Sequence, residues 1–262
     1  MVIRRGLFLM MLVAAFFGAA TGFAKVEEAP IGPDPVTEKW PQWPYETICG
    51  WLEFDPVVAF SGPTGVERGS RPSERALARL LREQRNWATP IVPSRHWRLL
   101  AETDDVVEFA SGRLTDPHGS GTVSFERQEG RWKEIGLSSG CEPTSIVDDM
   151  QAVSWTLAVD KPKPAEGDRH LWINLGPGPC SGGRSQNARA RQPVTWRVDK
   201  KLMVAMTLKP LPPGGYTCQG LFEPPLKVRL PEPIGKSRLF DGATYPPKDV
   251  IRLWSRGRAA RR

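Results

Sequence analysis

Cys49, Cys141, Cys180 and Cys218 are the four residues whose chemistry their spacing limits most sharply. A structural zinc site needs close ligand pairs such as C-x-x-C, and no such pair occurs. A nucleophilic thiol would have to stay reduced, whereas an even count of cysteines in an exported chain points to pairing. Four cysteines allow three pairings, and sequence alone does not select one. The economical choice joins Cys49 with Cys141 and Cys180 with Cys218, because each pair then brackets one sequence pattern. Each bridge would close a loop of tens of residues, worth roughly 4 kcal/mol in the chain-entropy model.

The remaining reactive side chains form no recognisable constellation. His96, His118 and His170 give neither H-E-x-x-H nor a pair at helical ligand spacing, so no metal is expected. There is no G-x-S-x-G elbow, P-loop or G-x-G-x-x-G, and no cofactor is expected. His118 and Ser120 in "TDPHGSGT" could work with a distant acid such as Asp148, but a polar hairpin loop explains the same residues. The neighbours Asp104–Asp105 and Asp148–Asp149 would point apart on extended backbone, which suits turns better than acid–base work. No catalytic residue is assigned.

Charge has to be located before it is interpreted. The chain carries +7 with pI near 9.4, but Arg4, Arg5 and the tail arginines Arg256, Arg258, Arg261 and Arg262 account for nearly all of it. The body is almost neutral, so no specific nucleic-acid partner is expected. One basic stretch remains, with Arg184, Arg189, Arg191, Arg197, Lys200 and Lys201 against the single acid Asp199. It is a candidate site for weak binding of an anionic polymer, although a solvated loop is the favoured reading.

The elements that would position these residues follow from patterning. Residues 1–24 read as a signal peptide: Arg4 and Arg5 precede the apolar run Gly6–Ala20, and Gly22 and Ala24 suit cleavage before Lys25. An uncleaved anchor is the alternative. Residues 25–44 form a proline-rich leader, expected to be exposed, whose Trp40 and Trp43 offer flat rings for peptide or sugar. Residues 45–148 read as an α+β domain with one helix on an antiparallel sheet. The helix lies in "RPSERALARLLREQRNW", with Pro72 in its first turn and Ser70 or Ser73 as cap. The sheet comes from "HWRLLAE", "DVVEFASG", "GTVSFERQ" and "RWKEIGLSSG", where Trp97, Leu99 and Ala101 should share one face.

Residues 149–254 change pattern to short strands between Gly, Pro and charge clusters, including "KLMVAMTL" and "GGYTCQGL", which reads as an all-β, Ig-like sandwich. Tyr216 stands two residues before Cys218, the spacing of a tyrosine corner, and Trp196 lies between Cys180 and Cys218. Residues 255–262 read as a basic tail, a disordered end rather than a binding arm.

"GYTCQG", "VRLPEPIGKSRLFDGATYPP" and the earlier "RWKEIGLSSGCEP" together resemble a set of secreted actinobacterial proteins of uncharacterised function. The resemblance covers the second half of the chain and the end of the first domain. It implies Cys141, Cys180 and Cys218 as bridge partners, an extracellular compartment and a two-domain architecture, and it implies no chemistry. The function expected is that of a secreted or cell-surface, non-enzymatic binding protein with an unknown envelope partner. A secreted hydrolase with dispersed catalytic residues is the alternative.

Overall fold

The computed structural model describes residues 36, 39–84, 95–113, 121–140, 142–176, 180–218 and 222–259. Residues 1–24, expected to be a signal peptide, and His118, Ser120, Cys141, Arg261 and Arg262 lie outside the described residues. The architecture is mixed α+β, mostly sheet with few helices. Among the described residues no helix is long and apolar enough to cross a membrane.

Strands β1 (Thr47–Ile48) and β2 (Glu53–Phe54) lead into helix α1 (Pro56–Ser61), whose amides at Val57 and Val58 donate to the capping Asp55 carboxylate. Helix α2 (Pro72–Gln84) then packs on an antiparallel meander of β3 (Trp97–Glu102), β4 (Val106–Ser111), β5 (Gly121–Gln128) and β6 (Arg131–Ser138). The helix buries Ala76, Leu77, Leu80 and Leu81 against Trp97, Val107, Phe109, Val123 and Phe125. Neither serine caps it. The Arg71 amide donates to Glu74 Oε2 at 3.1 Å, the reciprocal half of a capping box, while Ser73 donates to Glu102 across the sheet. Between β5 and β6, Glu129 and Gly130 both take positive φ, as a type I′ hairpin turn demands.

A bulge between Leu99 and Ala101 corrects the expected alternation in β3. It turns Leu100 and Ala101 to the second face, onto Phe54 and Phe60. That face is covered by the segment from Cys49 to Ser61. Arg98, buried beneath it, donates through Nη1 to the Phe60 carbonyl at 2.7 Å.

The rest of the chain forms β7 (Thr144–Val147), β8 (Met150–Val153), β9 (Trp155–Leu157), β10 (His170–Leu175), β11 (Val194–Val198), β12 (Lys201–Thr207), β13 (Leu226–Arg229), β14 (Arg238–Asp241), β15 (Lys248–Asp249) and helix α3 (Val250–Ala259). One sheet runs β15-β14-β12-β8-β7-β1-β2 with β11 also on β12, so it takes strands from both sides of residue 148. A second, three-stranded sheet runs β13-β10-β9. Trp155, Leu157, Leu171, Ile173 and Val228 of the small sheet share one core with Leu202, Val204, Met206 and Leu239 of the large one.

Strand β12 is buried on both faces, which explains why "KLMVAMTL" is a nearly unbroken apolar run. Its second face carries Met203, which with Phe240 and Tyr245 packs against Val36, Trp40 and Trp43. The leader's tryptophans are therefore not exposed contact rings: Trp40 is 2% and Trp43 9% accessible. Proline-rich composition hides this, because the apolar surface they cover belongs to strands about 160 residues further on and leaves no periodic signal nearby.

Two other expectations change. "GYTC" is irregular rather than a strand, because Pro210, Pro212 and Pro213 before it cannot join a ladder. Residues 255–259, the described part of the tail, continue helix α3, which packs on the main core through Ile251 and Trp254 ahead of them. Trp254 Nε1 donates to the Ala158 carbonyl at 3.3 Å.

Candidate binding cleft

The cleft begins where two paired strands part. Thr207 and Met206 of β12 pair with Ala152 and Val153 of β8. Beyond Thr207 the chain turns to the other side, where Ala190 bridges Leu208 and the Lys209 amide donates to the Arg189 carbonyl at 2.8 Å. Pro210, Pro212 and Pro213 then remove the donors a ladder needs. The diverging arm and β8 enclose a cleft of about 890 Å³, lined on one side by Met150 to Ser154 and on the other by Pro210 to Gly214 with Tyr216.

Along this cleft β8 pairs with β7 through Met150 and Gln151 and with β12 through Ala152 and Val153. Asp148 and Asp149 both take positive φ in the two-residue turn between Val147 and Met150, which makes them turn formers rather than an acid pair. In such a hairpin the flanking pair is the hydrogen-bonded one. Gln151, opposite Ile146, therefore turns its amide and carbonyl away from β7, toward the cleft.

The arm is held by three kinds of contact. The Cys180–Cys218 disulfide joins residues 38 apart with Cα atoms 4.3 Å apart. The Tyr216 hydroxyl donates to the Pro212 carbonyl at 2.6 Å, and the Gly182 amide donates to the Thr217 carbonyl at 2.9 Å. The Arg184 guanidinium lies 4.8 Å from the centre of the Tyr216 ring. Glu223 anchors the loop that follows, accepting from the amides of Gln186 and Asn187 and from the Ser185 hydroxyl. Burial would raise the Glu223 carboxyl, but those donors outweigh it and hold it below the ordinary carboxylate value.

The six basic residues of the anion-binding expectation do not converge. Arg189 lines the cleft and donates through Nε to the Lys209 carbonyl at 2.9 Å, close to Arg184 in sequence and in the same loop. Arg197 is committed to Glu232, Ser237 and the carbonyls of Pro233 and Ile234. The Lys201 ammonium sits 4.2 Å from the centre of the Trp40 ring, while Arg191 and Lys200 are exposed. Strand β11 separates Arg191 from Lys200 and Lys201 by roughly 16 Å of extended chain.

Cys49 is disulfide-bonded, and Cys141 lies outside the described residues. His170 is exposed on β10, and the His96 amide donates to Glu67 Oε1 at 3.3 Å. Among the described residues no group of three His, Cys, Asp or Glu side chains could hold a metal ion. The cleft residues Met150 to Ser154 went unmarked in the sequence. The one available signal was "LKPLPPGG", a proline run directly after an apolar strand, which marks the point where pairing must stop.

Compared with known proteins, the chain matches no family model, no curated sequence and no solved structure.

Proposed function

We propose that this chain is an exported, non-enzymatic binding protein, secreted or held at the cell envelope, that receives an extended polypeptide segment in the cleft between β8 and the Pro210 to Gly214 arm. The observation that carries the reading is the Gln151 main chain, turned away from β7 where the β8–β12 pairing ends, lining a cleft whose far wall is fixed by a disulfide. Strand addition at such an edge draws affinity from main-chain hydrogen bonds and specificity from neighbouring side chains. Thr144, Thr244 and Arg189 supply polar groups, while Met150, Leu208 and Tyr216 supply apolar area.

The same reading takes the core between the β13-β10-β9 sheet and β12 as that of a β-sandwich. The Tyr216–Pro212 bond, two residues before Cys218, supports an Ig-like corner. Trp196 departs from that pattern, since it meets Trp43 and Tyr45 edge-to-face rather than packing on the bridge. Export rests on the apolar N-terminal run and on the cysteine pairing.

Panning a display library of random short peptides on the mature chain tests the proposal. The expected result is enrichment of extended sequences that no longer bind Gln151→Pro, which deletes the edge amide without touching the β7 ladder. Enrichment that survives both Gln151→Pro and Tyr216→Ala, or no enrichment at all, contradicts it.

A further inference from the structure

Away from the cleft, a second concavity of about 360 Å³ lies between the Lys163 to Glu166 loop, the turn leading into β14 and the first turn of α3. Its volume falls within the span of small-molecule sites. Ile234 and Leu239, 5% and 1% accessible, belong to the main core and give it an apolar floor with Ile251. Four cations stand around that floor: Lys163, Lys236, Arg238 and Arg252.

Two carboxylates share the lining, and one of them is already engaged. Asp249 pairs with Arg238 and accepts the Arg252 amide at 3.0 Å as the cap of α3. Burial would raise its carboxyl, but the Arg252 amide and the Arg238 guanidinium outweigh that and keep it ionised below the usual range. Glu166 is exposed, and its carbonyl receives the Gly235 amide at 2.8 Å. Lys163, Lys236 and the Arg252 side chain make no ion pair among the described residues. Three cations without an ion-pair partner among the described residues, against the one unengaged carboxylate of Glu166, therefore ring an apolar floor.

We infer that this pocket binds a small amphiphilic anion, with an alkyl or aromatic body on Ile234, Leu239 and Ile251 and a phosphate, sulfonate or carboxylate head among Lys163, Lys236 and Arg252. The two halves of the site select jointly. A bare anion gains only exposed, salt-screened contacts, and a neutral amphiphile leaves the cations unused. The inference is independent of the peptide cleft.

Calorimetric titration of the full chain with octyl phosphate, inorganic phosphate and octyl glucoside tests it. Octyl phosphate is expected to bind at one site, at least about tenfold tighter than either control, and to weaken as salt rises. The double variant Lys236→Glu with Arg252→Glu should lose that binding by about tenfold or more. Both side chains are exposed, and an unchanged circular dichroism spectrum and melting temperature would show that the fold persists. Lys163→Glu, on a separate loop, should give a loss in the same direction. Phosphatidylglycerol vesicles distinguish the sources. Sedimentation with them that the double variant abolishes identifies a lipid head group, and octyl phosphate binding without sedimentation identifies a free amphiphile. Equal affinity for octyl phosphate and its controls, or an unaltered affinity in the double variant, overturns the inference.

Discussion

The Asp241 carboxylate accepts the main-chain amide of Trp155, 86 residues earlier in the chain, at 3.0 Å. Its other oxygen accepts the Ala243 amide at 2.9 Å, and the residue is fully buried. It closes the point where β14 ends along β12 and β8 takes over. Burial raises its pKa to about 7; the amides of Ala243 and Trp155 and the charge of Lys248 oppose burial without cancelling it. In the unfolded chain the same group titrates near 3.8. The folded state thus holds the proton more tightly, so this group's contribution to stability is complete below about pH 4 and lost as pH rises through 7. Between pH 5 and pH 8 the loss should be roughly 2–3 kcal/mol. Urea unfolding at the two pH values checks this. Asp241→Asn, compared at the same two values, should show that much less pH dependence.

The meander was legible because its information is local. Val107 with Phe109 and Val123 with Phe125 alternate within single strands, and Glu129–Gly130 names its own turn. The bulge at Leu99 to Ala101 was not legible, since it answers to Phe54 and Phe60 on another segment. Trp40 and Trp43 misled for the same reason: their partners are Phe240, Trp196 and Tyr245. Helix α3 was obscured by arginines that mark its solvent side, while only Val250, Ile251 and Trp254 report its packing face. The cleft is the extreme case. It exists because two strands part, and parting is a relation between residues near 151 and residues near 210.

Removing the Cys180–Cys218 bridge by the double substitution Cys180→Ser and Cys218→Ser should cost about 4 kcal/mol, the loop entropy that a closure of this length withholds from the unfolded chain. Tyr216→Phe removes only the hydroxyl that donates to Pro212, and should cost about 1 kcal/mol. Chemical denaturation reports both values. Hydrogen exchange at Leu211 and Gly214 to Tyr216 should accelerate in the double variant before any effect reaches β12.

Trp43 touches Trp196 and Tyr245 edge-to-face, each with ring centres 5.4 Å apart. Trp43→Ala should therefore destabilise the protein by about 3–5 kcal/mol, a core penalty that an exposed leader residue would not incur. Its indole N–H is buried without a hydrogen-bond partner among the described residues. Trp43→Phe gives up no hydrogen bond, keeps a ring and leaves a smaller cavity, and should cost clearly less than Trp43→Ala. Thermal denaturation of the two variants separates this role from a surface one, in which both would be neutral.

Glu108, buried on the face of β4 away from α2, receives the amides of Trp51 and Leu52 at 3.0 Å each and so fastens the covering segment to the meander. That grip requires glycine at the preceding position, because a Cβ on residue 50 would stand 2.5 Å from Glu108 Oε1. Glu108→Ala leaves two amides without their acceptor and should cost about 2–3 kcal/mol. Gly50→Ala alone forces the carboxylate aside and should cost about 1–3 kcal/mol. In the Glu108→Ala background the added methyl meets no carboxylate, so the second substitution should be nearly free. A double-mutant cycle from urea denaturation is expected to show a coupling of about 1–3 kcal/mol, the cost of Gly50→Ala alone. Strict additivity would mean that a methyl on residue 50 does not meet the Glu108 carboxylate.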